Sequence, residues 1–121
     1  MNDALLRLLL ILIALTTVAS GAVQWIAPSF VLGLISSQDG ALSAHLFATV
    51  GMFILITGGL FLQSLVTRSA ERAIPFWIGI QKAAAAALVG WGIIRGLFTP
   101  LALGVAAFDA ATAVLTFIFL I

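Results

Sequence analysis

Four stretches of this chain stay apolar for as long as it takes to cross a bilayer, and this restricts the fold more than any motif does. The hydrocarbon core is about 30 Å thick, so a spanning helix needs about 20 predominantly apolar residues. Residues 4–27, 42–66, 73–95 and 100–121 meet that length; the first carries only Arg7 near its start, and the second has no formal charge. In hydrocarbon each backbone N–H and C=O must find a partner within the protein, which favours helices for runs of this kind. Water is a poor solvent for the rest as well. Hydrophobic residues make up 64% of the 121 and charged residues 7%, too few to coat a water-facing surface. The reading is an all-α integral membrane four-helix bundle, a single transmembrane domain with antiparallel up-down topology.

Proline punctuates the pattern. Pro28 disfavours helical geometry at Ala27 and so ends the first span, while Pro100 suits the first turn of the last. The connections are short, which makes sequential helices antiparallel neighbours. Residues 29–41 form the longest connection. Its apolar piece, Phe30 to Ile35, is expected to lie in the membrane interface, and Ser36-Ser37-Gln38-Asp39-Gly40 reads as a turn. Thr67 to Arg72 reads as a polar loop and Gly96 to Thr99 as a tight turn. A cleaved signal peptide is the alternative for the first span, with Leu8 to Val18 as its apolar region and Ala19-Ser20-Gly21-Ala22 as small residues for cleavage. The apolar character that continues to Ala27 argues for retention. Arg7, Arg68 and Arg72 fall on one side and Arg95 on the other, so the positive-inside rule places both termini in the cytoplasm of a cell-membrane protein.

Several function classes are excluded. The net charge is +1 with no basic block, so no nucleic-acid partner is expected. There is no cysteine, hence no disulfide, thiol catalyst or thiolate metal site. One histidine and four scattered carboxylates make a metal site within one chain an unfavourable reading, although a single axial haem ligand needs only one histidine. No catalytic residue is assigned.

Lipid tails are as apolar as leucine, so helices in a bilayer associate through close packing at small residues. Each span has such a stripe: Ala14, Thr17, Gly21 and Gln24; Ala44, Ala48, Gly51 and Gly58; Gly79, Ala83, Ala86 and Gly90; Ala102, Ala106, Ala113 and Thr116. These read as packing seams. Gly92 and Gly96 form a literal GxxxG, for which a dimer contact is the sharper alternative.

Polar residues at membrane depth carry the functional reading. Asp109 sits about nine residues into the last span, where a charge costs roughly 2.5–3.5 kcal/mol on insertion scales, so it is expected to face the bundle interior. Lys82 is its natural partner, about six residues or ~9 Å nearer the cytoplasm, within reach of an inward-pointing stem. Otherwise Lys82 reaches to the interface and Asp109 bonds to threonine or backbone. A second constellation, Gln24, Trp25, His45, Trp91 and Arg95, falls at similar depth near the opposite face. It reads either as interface anchoring or as a pocket for a head group or small molecule. Gln63 and Gln81 read as interhelical glue.

The layout resembles the DoxX-like group of small bacterial four-helix membrane proteins, on Trp25-Ile26-Ala27-Pro28, Gly51 with Gly58-Gly59, Gly90-Trp91-Gly92 and Arg95-Gly96. That resemblance implies membrane redox or quinone-linked processes and carries over no catalytic residue. Small multidrug exporters are similar in length, but their membrane-embedded first-helix glutamate has no counterpart here. Three functions follow. The first is a non-catalytic membrane component that binds a lipid, a quinone or a partner membrane subunit, with the lipid bilayer as its obligatory partner. The second is a proton-coupled transporter or channel using Asp109 and Lys82, in a homo-oligomer. The third is a membrane enzyme with His45 as acid–base.

Overall fold

A computed structural model describes residues 2–36 and 40–121, and the statements below concern those residues. They form five α-helices: α1 (Asp3–Ile26), α2 (Pro28–Ile35), α3 (Ala41–Val66), α4 (Ala73–Ile94) and α5 (Ala102–Leu120). Four of them, α1, α3, α4 and α5, are long and apolar enough to cross a membrane, which makes this an all-α multi-pass membrane protein. The expected four-helix bundle is corrected to five helices, and the resemblance to the four-helix DoxX-like arrangement falls with it. The difference is α2. Pro28 ends α1, as read from the sequence, but it also occupies the first turn of a new helix, where its fixed φ is preorganised and its missing N–H costs nothing. The segment assigned to an interfacial connection is thus an eight-residue helix that buries Leu32. The middle of the turn expected at Ser36–Gly40, Asp39 included, lies outside the described residues.

The four long helices alternate in direction and pair unequally. α1 packs most extensively on α3, and α4 on α5; contacts between the two pairs are sparse. The α1–α3 crossing is very close. A Cβ on Gly21 would stand 2.6 Å from the Leu55 backbone nitrogen, and one on Gly51 would stand 2.7 Å from that of Trp25. Gly58 faces Thr17 and Val18 in the same seam. Glycine is required there because backbone meets backbone, and the gain is van der Waals contact along both helices. In the α4–α5 pair, aromatic rings fill the glycine gaps. Phe117 covers Gly79 and Phe98 covers Gly92.

Two helix ends close by the same device. At the end of α4, Leu97 N donates to Gly92 O and Gly96 N to Ile93 O, with Gly96 left-handed at φ 74°. This Schellman pattern satisfies carbonyls that the helix leaves without partners. Gly92 and Gly96 therefore both have roles within the chain. At the end of α3 the same pattern links Ser69 N to Ser64 O and Arg68 N to Leu65 O, but the left-handed residue is Arg68, at φ 53°. Leu65 O also accepts from Arg7 Nη1 at 2.9 Å, and Leu120 O accepts from Arg72.

The main apolar cluster lies towards the end where α1 begins. It comprises Leu6, Leu10 and Ala14 of α1, Phe61 and Leu65 of α3 and Ile78 of α4, with Leu115 and Phe119 of α5 packed against it. At this N-terminal end the two pairs meet. At the other end, where α2 sits, they are held apart.

Candidate functional site

The separation of the two pairs creates a cleft of about 630 Å³ in the half of the bundle nearer α2. All five helices contribute to its wall. α1 presents Thr16, Ser20 and Gln24, three polar residues spaced by four and therefore stacked on one face. α3 adds Phe47, Val50 and Ile54; α4 adds Gln81, Ala85 and Val89; α5 adds Ala102, Val105 and Phe108. Phe30, Val31, Leu34 and Ile35 of α2 close its end. The wall is mostly apolar with a few convergent polar groups, the composition usual for a small-molecule site.

Lys82 and Asp109 also line this cleft. Lys82 Nζ donates to Asp109 Oδ1 at 3.1 Å and to Thr17 Oγ1 at 3.2 Å, and it lies 5.2 Å from the centre of the Phe108 ring. Both charged residues are 8% exposed. The offset of ~9 Å counted along the helices is closed by the lysine stem, which turns inward instead of running to the interface. The ion pair joins α4 to α5, and the Thr17 bond ties that pair to α1, across the gap that sparse packing leaves open. Asp109 Oδ2 accepts no hydrogen bond among the described residues. Since no fully buried side-chain oxygen or nitrogen there lacks a partner, Oδ2 keeps accessible surface, in a residue that lines the cleft.

Of the second constellation, Gln24 alone lines the cleft. Gln24 turns inward, lines the cleft and donates from Nε2 to Phe47 O at 3.0 Å. His45 and Arg95 are exposed, as are Trp25 and Trp91, and none of these four lines the cleft. Gln81 crosses between helices, donating from Nε2 to Thr57 Oγ1 at 3.4 Å, whereas Gln63 is exposed. Among the described residues no three of His, Cys, Asp and Glu are grouped to hold a metal ion.

Sequence reasoning missed Thr16, Ser20 and Phe108 as site residues. The signal for two of them was present: polar residues at 16, 20 and 24 recur every four positions within an apolar span. It also missed the fastening of α2. Ser36 Oγ donates to Leu97 O at 3.0 Å, Thr99 Oγ1 to Leu34 O at 3.1 Å, and Thr99 N to Ile35 O at 2.7 Å. These bonds pin the end of α2 to the turn between α4 and α5, at the end of the cleft that α2 closes.

Compared with known proteins, the chain matches no family model, no curated protein and no solved structure.

Proposed function

We propose that this protein is a non-catalytic membrane component whose cleft takes up an amphiphile from the bilayer, a lipid or a quinone, with its polar group at Lys82 and Asp109. The observation that carries this reading is the continuity of the cleft. Mostly apolar walls around about 630 Å³ lead to one charged pair near the middle of α4 and α5. An ionisable residue at that depth is a functional candidate by default, and here it borders space instead of being packed over.

The test is native mass spectrometry of the protein released from mild detergent, with and without the cleft-filling change Val105→Trp. A bound mass on the wild-type protein that is lost from the variant supports the reading. Equal spectra from two well-folded proteins would overturn it. A second reading, proton-coupled transport through Asp109, draws on the accessible surface of Oδ2; proton flux in liposomes unchanged by Asp109→Asn would end it.

Both termini are proposed to face the cytoplasm, because Arg7, Arg68 and Arg72 share one end of the bundle. Reporter fusions at each terminus check this. A homo-oligomer or a partner subunit belongs to the same proposal and is read by cross-linking in membranes.

A further inference from the structure

Resting on the binding reading above, the hydrogen bonding at the floor of the cleft says which kind of polar group the amphiphile carries. Among the described residues only two formal charges line the cleft, and they neutralise each other at 3.1 Å. The other polar groups there, Thr16, Ser20, Gln24 and Gln81, are uncharged. An ionic head group seated at mid-bilayer would leave its charge without a counter-charge, which is costly in a medium of low dielectric.

At the carboxylate, the capacity that remains is that of an acceptor. An ammonium has three N–H donors and no acceptor. Two of Lys82's go to Asp109 Oδ1 and Thr17 Oγ1, and the Phe108 ring occupies a further side of the group. Asp109 has spent one oxygen on Lys82, and the other, Oδ2, keeps accessible surface as an acceptor, in a residue that lines the cleft. An anion would face that carboxylate oxygen, with two of the lysine's three donors already committed. A cation would compete with Lys82, leaving two cations for one carboxylate.

We infer that the cleft selects an uncharged amphiphile bearing a hydroxyl, an alcohol-headed lipid, whose O–H donates to Asp109 Oδ2 while its hydrocarbon chain lies between the two helix pairs. A molecule with acceptors alone, such as an ether or an oxidised quinone, lacks the proton that this oxygen requires. The same molecule carrying a hydroxyl supplies it.

The test uses four photoreactive probes on one hexadecyl chain, each with the diazirine on the chain: the free alcohol, its methyl ether, the sulfate and the trimethylammonium salt. The purified protein in nanodiscs is cross-linked with each, and the labelled residues are mapped by mass spectrometry. Labelling at Val89, Val105 and Phe108 reports the cleft; labelling at Phe53 and Leu88 reports the outer, lipid-facing surface.

The alcohol is expected to label the cleft about tenfold more than the ether, the difference one hydrogen bond to a charged acceptor makes, and to exceed both ions by at least as much. In the double variant Lys82→Met with Asp109→Leu, which removes the acceptor and keeps the net charge, alcohol and ether should become equal. The wild-type ratios decide the matter if that variant fails to fold. Equal cleft labelling by the alcohol and the ether, or by either ion, overturns the inference and leaves the binding reading standing. Labelling of the outer surface alone by all four probes overturns the binding reading and the inference with it.

Discussion

Replacing Asp109 by leucine strands a cation in the middle of the bundle. Lys82 would keep its bond to Thr17 and its position beside Phe108, but would lose its counter-charge. Breaking a buried pair from one side costs about 3–5 kcal/mol where the surviving charge cannot move. Lys82 has a flexible stem and can retreat towards the N-terminal end of the bundle, so about 2–3 kcal/mol is the expected loss. Lys82→Met removes the only donor to Asp109 among the described residues, and the expected loss is about 1–2 kcal/mol. The double variant Lys82→Met with Asp109→Leu replaces both by apolar groups of similar size and should fall within about 1 kcal/mol of wild type. The two single losses therefore do not add, and the coupling energy is about 2–4 kcal/mol. Reversible unfolding in mixed micelles, by steric trapping or by titration with a denaturing detergent, measures all four corners of the cycle. Additivity within about 0.5 kcal/mol would show that the pair does not act as a unit, and would refute the assignment of this contact as the buried tie between α4 and α5.

Further outcomes follow from the packing and the helix ends. Gly51→Ala places a methyl 2.7 Å from the Trp25 backbone nitrogen and should cost about 2–3 kcal/mol, whereas Gly59→Ala, with open space at its Cβ, should stay within about 0.5 kcal/mol; the same unfolding assay reads both. Arg68→Gly relieves a left-handed non-glycine residue and should stabilise the protein by about 0.5–1 kcal/mol, seen as a later unfolding midpoint. Thr99→Val removes the hydroxyl that donates to Leu34 O and should loosen α2 by about 1 kcal/mol, detected as faster hydrogen exchange there with the long helices unchanged. His45→Ala alters an exposed side chain with no polar side-chain contact among the described residues and should leave unfolding within about 0.5 kcal/mol.

What the sequence disclosed follows from how each feature is encoded. The four spans were legible because hydrocarbon imposes a length and a polarity on every residue of a crossing helix; the long helices begin and end within about two residues of the expected limits. The α1–α3 seam was legible too, since Gly21, Gly51 and Gly58 announce a close crossing. The short helix α2 was not. Eight residues contain barely two turns, so no periodicity separates a helix from an apolar connection, and the proline that starts it also explains the end of α1. Counting along two helices put Lys82 and Asp109 at different depths because it follows backbones, whereas the contact is made by a long side chain. The outward direction of His45, Trp91 and Arg95 depends on the rotation of each helix about its axis, which similar depth in the membrane does not determine.

The way each pair fills its glycine gaps gives the cleft one stiff wall and one compliant wall. Between α1 and α3 the nearest neighbours of the missing methyls at Gly21 and Gly51 are backbone atoms, which cannot rotate away, so those two helices are expected to move as a single slab. Between α4 and α5 the gaps are occupied by the rings of Phe98 and Phe117, which can swing on their own bonds and let the helices slide by small steps. Under the proposed function, a guest of larger girth would be accommodated by displacement of α4 and α5. Because Lys82 and Asp109 ride together on that moving side, widening the cleft strains the bond to Thr17 before it disturbs the ion pair.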